Sequence, residues 1–244
     1  MKRSLILLLV IGWMLSCNRE SAPDCFQTGG VDASEHRILS AFDKIELRDY
    51  IHYELLQSSD YAVEINGPRN LLNDIITDVK DGKLLVSNGN TCNFVRSYKR
   101  GITVRISAPR FGAIDHFGSG DVSSIDTLNQ SRFEMNFRHA TGHVNLKLHC
   151  DSVSLLMHTG SADCNASGFA KTTELFANGL GFLDASGLNT DNVFIRQSSI
   201  QTLKAQATGY MYCLILSRGD VQMFDHPQGA DIEDLGSGDL VFMN

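Results

Sequence analysis

Apolar and polar residues alternate along most of this chain in short runs, the pattern of strands rather than helices. Ile45 to Leu55 and Tyr61 to Ile65 alternate in this way. Asp81-Gly82 joins Ile76–Val79 to Leu84–Val86 and reads as a two-residue hairpin turn. Between Asn70 and Ile76 the apolar positions fall at 71, 72, 75 and 76, a spacing that predicts one or two helical turns. Ile102 to Ile106 adds another strand, which leads through Pro109 into a different regime.

From there the pattern acquires a period. Gly118-Ser119-Gly120-Asp121-Val122 returns near the end as Gly236-Ser237-Gly238-Asp239-Leu240, with degenerate copies between. The slot of Asp121 is read at 143, 163, 182, 200, 220 and 239, in steps of 22, 20, 19, 18, 20 and 19 residues. One apolar tract follows the Gly turn of each unit (Val122, Val144, Cys164, Leu183, Ile200, Val221, Leu240). A second tract precedes the next turn, as at Phe133 and Met135 or Val193 and Ile195. Two short strands in each unit of about 20 residues predict a right-handed parallel β-helix, each coil burying its apolar face on its neighbours. Equivalent slots then stack about 4.8 Å apart. An antiparallel β-sandwich also has frequent turns, but it gives no reason for one signature to recur. Glycine is expected to supply positive φ at the turns, and Asp121, Asp163, Asp220 and Asp239 to cap them by accepting backbone N–H bonds.

The chain therefore divides into a leader (1–16), a polar spacer (17–40), an N-terminal β cap (41–108) and the β-helix (109–244), with 41–244 one continuous body. The cap is expected to cover an open end that would otherwise invite edge pairing. Lys2 and Arg3 precede an apolar run from Leu5 to Leu15, too short to span a bilayer and laid out as a secretory signal. It ends Met14-Leu15-Ser16-Cys17, which resembles a bacterial lipobox with Met14 where Leu is usual. That resemblance implies cleavage before Cys17, a diacylglyceryl group on its sulfur and attachment to a membrane. An ordinary signal peptide with an incidental cysteine is the plainer reading.

Charge narrows the partners. With 21 basic against 28 acidic residues, a net charge of −7 and no basic run, the chain has no electrostatic footprint for nucleic acid. Six cysteines less Cys17 leave an odd number, so one at least is unpaired. Cys25 and Cys92 both lie outside the repeat of an exported chain, so a Cys25–Cys92 disulfide is expected. Cys164 falls in an inward column and reads as a small core hydrophobe. The partners of Cys150 and Cys213 stay open, and no paired Cys/His spacing suggests zinc.

Catalysis on a β-helix needs carboxylates clustered on one coil face. Here Asp alternates with His143, Phe182 and Ile200, and only Asp220 and Asp239 occupy neighbouring coils. Turn capping accounts for all four aspartates. His139, His143, His149 and His158 crowd into 20 residues, with His139 and His158 nearly in coil phase, but no third metal ligand is evident. No cofactor is implied. Phe176 and Phe194 read as core stacking, and Tyr210 and Tyr212, on one strand face, are the candidate sugar-stacking patch.

Several motifs taken together carry a family resemblance: Phe42-Asp43-Lys44-Ile45, Asp78-Val79-Lys80-Asp81-Gly82-Lys83-Leu84, Asn93-Phe94-Val95-Arg96-Ser97-Tyr98, and the opening and closing Gly-Ser-Gly-Asp. In this order and spacing, from about Asp24 to Asn244, they resemble the auto-transporter adhesin head (GIN-domain) family, common in lipoproteins of Bacteroidetes. The resemblance implies a β-helical fold, an outer-membrane or cell-surface location and an adhesin-like role, with no catalytic residues to carry over. The expected function is a non-enzymatic envelope lipoprotein that binds a glycan or an envelope protein. A pectin-lyase-like glycan enzyme and a binder of lipid or small hydrophobic ligands are the alternatives.

Overall fold

The computed structural model describes residues 30–90 and 101–243. The leader, Cys17 and the Cys25–Cys92 pair lie outside those residues. Strands β1 (Asp32–Ile38), β2 (Lys44–Leu47), β3 (His52–Gln57) and β4 (Ala62–Pro68) come first, then the short helix α1 (Arg69–Leu72). β5 (Ile75–Lys80) and β6 (Lys83–Asn88) form the hairpin about Asp81-Gly82, and β7 (Thr103–Ala108), β8 (Ala113–His116) and β9 (Val122–Ser124) follow. β10 (Leu128–Phe137), β11 (His143–Met157), β12 (Asp163–Ala177) and β13 (Leu183–Gln197) are long. β14 (Leu203–Ala205), β15 (Tyr210–Ile215), β16 (Val221–Met223), β17 (Gly229–Asp234) and β18 (Leu240–Phe242) are short.

These strands build a parallel β-helix that makes about six turns in chain order from β8 onward, with further rungs stacked before them. One inward column runs Val104, Tyr53, Val122, Val144, Cys164, Leu183, Leu203, Val221 and Leu240 on successive rungs. A second runs Leu84, Ile45, Ile114, Met135, Leu155, Leu175, Ile195, Cys213 and Ile232. All but the last residue of each column are fully or almost fully buried. This is the helix core, and its apolar burial is the main force holding the coils together.

Both columns begin inside the expected cap. β6 and β7 form the first coil, β2 and β3 the second, β8 and β9 the third. The chain thus lays down its second coil first, travels out to the end, returns as the first coil, and then crosses to the third. The capping elements are β1, β4, β5 and α1: β4 pairs antiparallel with β7 and β1, β5 pairs antiparallel with β6, and Leu71 and Leu72 are buried against the core. The helical turn covers only the start of the stretch predicted for it, Arg69–Leu72, and Ile75 and Ile76 belong instead to β5.

The spacer expected to reach residue 40 is structured from Asp32 onward. β1 pairs with β4 from Asp32↔Pro68 to Ile38↔Ala62. Its hold is polar. The Arg37 guanidinium donates to Glu35, to the Leu72 and Ile75 carbonyls and to Thr77 Oγ1, and so ties β1 to α1 and β5.

The slot read at Ile200 is displaced. Leu183 pairs with Leu203, which places Thr202 in the slot; Leu203 is buried and Ile200 is half exposed. The intervening turn is two residues longer than the pattern suggests. Gln197, fully buried, braces it by accepting from the Ser199 N–H (3.1 Å) and donating to the carbonyls of Gln201 (2.6 Å) and Asp220 (3.2 Å).

Candidate functional site

The aspartates of the repeat tie coils together rather than capping their own turns. One oxygen of Asp121, Asp163 and Asp220 accepts, at 2.9 Å, the slot N–H of the next coil, from His143, Phe182 and Asp239 respectively. The other oxygen of Asp121 faces His52 Nδ1 at 3.4 Å, and that of Asp163 faces His143 Nδ1 at 3.6 Å. Asp239 stands on the last coil, where its own N–H is the donor. Asp220 and Asp239 are neighbours, as expected, with one Asp220 oxygen committed to the backbone.

The crowded histidines have separate local roles. His139 adopts positive φ and its N–H bonds to Thr159 Oγ1 at 2.9 Å. His149 lies against Phe169, and His158 Nε2 meets Asn136 Oδ1 at 3.0 Å. Among the described residues no three His, Cys, Asp or Glu side chains form a group that could hold a metal ion. Cys150, Cys164 and Cys213 are buried free thiols. Burial pushes the Cys213 thiol up to about 12 and raises Cys150 and Cys164 as well, so all three are packing groups rather than nucleophiles.

The richest chemistry lies on the outer face of β11, β12, β13 and β15. A shallow groove of about 440 Å³ is lined there by Leu156, His158, Glu174, Phe176, Phe194, Arg196 and Tyr212. The alternation that turns Leu175 and Ile195 inward turns Glu174, Phe176, Phe194 and Arg196 outward. Phe176 and Phe194, expected in the core, are therefore surface residues in adjacent outer columns: Glu174 pairs with Phe194, and Phe176 with Arg196. The parity was readable from the sequence once the inward residues of β12 and β13 were fixed.

Phe194 is 42% exposed and stands beside Tyr210, ring centroids 6.1 Å apart, with Tyr212 in register on the next coil. Tyr210 and Tyr212 thus join the groove or its rim, and both hydroxyls are occupied. Tyr210 donates to Asp231 at 2.6 Å and Tyr212 to Glu233 at 2.9 Å. Those carboxylates hold both phenols above the usual tyrosine pKa. The Arg196 guanidinium lies over the Phe176 ring, 5.4 Å from its centroid, and the His158 ring meets the same phenyl edge-on. Burial, and after it the nearby Arg138, lowers the His158 pKa, so its imidazole is neutral at physiological pH.

A second exposed feature is a ridge of apolar side chains on successive turns. It runs Leu180 and Phe182, Ile200, Leu216 and Leu235, with Leu235 71% exposed. The last coil also leaves inward-facing Ile232 and Phe242 partly open to solvent.

Comparison with known proteins gives a consistent family. Residues 41–227 match the family model described as "Putative auto-transporter adhesin, head GIN domain". A crystal structure of a "putative adhesin" from Bacteroides fragilis superposes with a TM-score of 0.79 at 20% identity, covering 87% of this chain and 97% of that one. A "putative adhesin" from Parabacteroides merdae gives a TM-score of 0.62 at 15% identity over 89% and 98% of the two chains. A "putative lipid binding protein" from Parabacteroides distasonis gives 0.65 at 15% identity over 88% and 98%. At these identities the structural likenesses establish the fold. No curated protein matches the chain.

Proposed function

Because the chain belongs to the auto-transporter adhesin head GIN-domain family, we propose that it is an exported, non-enzymatic binding module, lipid-anchored through Cys17 at the outer membrane, that contacts surface or envelope ligands through the groove of β11–β15. The observation that carries this reading is the outward placement of Phe176, Phe194 and Tyr212 around Arg196. Exposed aromatic groups clustered with a few polar side chains are the usual makings of a binding surface. A rigid β-helix presents them without a large ordering cost on binding. The repeat aspartates bond to the backbone between coils, a structural use that accounts for their recurrence without catalysis.

The test is adhesion of the full-length protein to bacterial envelope preparations and host-cell glycans. Phe194→Ala combined with Tyr212→Ala is expected to remove binding while leaving the thermal transition within a few degrees. Retained binding would move the contact face elsewhere. For the anchor, Cys17→Ala is expected to shift the protein out of the membrane fraction, and unchanged fractionation would refute it.

The apolar ridge supports a second reading, contact with lipid or another apolar surface. Here Leu180→Asp with Phe182→Asp is expected to abolish flotation with phosphatidylethanolamine vesicles when Cys17 is also replaced. Absence of flotation before those changes would end this reading.

A further inference from the structure

We propose that the Arg196 groove takes an acidic sugar, one whose ring bears a carboxylate of the uronic or sialic acid kind. This rests on the groove being the contact face. Arg196 carries the argument. Arg37, Arg48, Arg105, Arg110, Arg132 and Arg138 each have a carboxylate partner within 4.0 Å. Arg196, like Arg69 and Arg218, has none among the described residues and makes no side-chain hydrogen bond there; of these three it alone lies over an aromatic ring, the face of Phe176. A cation–π contact holds the guanidinium beside the ring without using its N–H donors. A planar fork of this kind matches a carboxylate through two parallel N–H bonds.

The surroundings supply the sugar half of the ligand. Phe194 lies two residues before Arg196 on the same outward face, about 7 Å away along the strand. Tyr212 extends this aromatic surface onto the next coil. A pyranose ring laid on Phe194 and Tyr212 brings its ring carboxylate within reach of Arg196. Glu174 sets the polarity. It lies beside Phe194 on the preceding coil, with one carboxylate oxygen held by Ser154 at 3.2 Å. That carboxylate accepts sugar hydroxyls and repels a second carboxylate, so the acid group of the ligand is directed to the Arg196 side. His158, neutral beside Phe176, adds an uncharged edge to the same end.

The experiment is calorimetric titration of the detergent-solubilised full-length protein with oligogalacturonate, a hyaluronan oligosaccharide and sialyllactose. Each is paired with a neutral counterpart: the methyl esters of the first two, and lactose. At least one acid is expected to bind about tenfold or more tightly than its counterpart, the worth of a charge-assisted pair. Arg196→Gln is expected to erase that preference, and Phe194→Ala to weaken acid and ester alike. Equal affinity for acid and neutral sugar, an unchanged preference in Arg196→Gln, or no binding of any of the three acids would each overturn the assignment. The contact-face reading is judged separately, by whether the Phe194 and Tyr212 substitutions abolish adhesion to envelope and cell surfaces.

Discussion

His116 shows what a single side chain contributes here. It points into the core between Leu47 and Phe137, fully buried, and neither ring nitrogen has a hydrogen-bond partner. Burial pushes its pKa from 6.5 to about 4, opposed by the nearby Thr141 backbone, which comes close to the ring without making a well-formed hydrogen bond. The neutral ring's contribution is therefore complete above the unfolded value near 6.5 and is lost as the pH falls toward 4. The linked loss is at most about 3 kcal/mol. His116→Leu is expected to flatten the fall in melting temperature between neutral pH and pH 4.5 and to raise stability already at pH 7, since it removes buried unpaired polar atoms. An undiminished acid transition in that variant would place its origin elsewhere. Asp163→Ala leaves the Phe182 N–H without its acceptor and should cost about 1 kcal/mol in chemical denaturation, whereas Asp163→Asn should recover most of it. At this scale the sequence disclosed that Asp accepts an N–H bond but not which one, because the donor belongs to the next coil. The reading of the glycines as positive-φ turn residues holds at some turns and not at others. Gly142 and Gly160 do take positive φ, but Gly120, Gly181 and Gly238 do not. A Cβ on Gly120 would meet the Ile51 carbonyl oxygen at 1.8 Å, and one on Gly181 would meet that of Ala162 at 1.8 Å.

That crowding is a property of stacked turns, and it sets the behaviour of whole elements. Gly120→Ala has to push the β8–β9 turn off the β2–β3 turn and is expected to cost at least about 2 kcal/mol. Gly82→Ala, at a site with nothing within 4 Å, is strained only by its own φ of 72° and should cost less. Comparative urea unfolding of the two variants checks the order. The strands themselves were largely legible, because period-2 alternation survives wherever one face is buried: β3, β6, β7 and the paired tracts of β10–β13 all follow it. β1 was not. Its residues Asp-Ala-Ser-Glu-His-Arg-Ile carry almost no apolar alternation, since it is docked through its backbone ladder and Arg37 rather than through a buried face. Phe176 and Phe194 misled for the converse reason: they are large, apolar and nonetheless on the wet side of their strands.

For the molecule as a whole the coil period was visible only where chain order and coil order agree, from β8 onward. The first two coils are laid down in reverse, so no repeat links 44–57 to 83–108 in the sequence although they stack in space. The two ends also differ. The N-terminal end is closed by β1, β4, β5 and α1, while at the other end β17 and β18 pair only with β15 and β16 among the described residues. Asp234 continues the inward column of Ile215 on that last rung, an inward charge that discourages further pairing. Asp234→Val is expected to produce concentration-dependent self-association in sedimentation velocity, and a variant that stays monomeric would show that the edge is guarded otherwise. The antiparallel strand at the closed end has a mechanical consequence. Any pull transmitted from the N-terminal side of the chain arrives at Asp32 and loads β1 before any coil. β1 is seven residues long, bonded to β4 and pinned by Arg37 to the Leu72 carbonyl and Thr77. Yielding under load is governed by the rate of opening, so β1 is the link expected to give way first, releasing a few nanometres of chain while the coils that carry the groove stay wound.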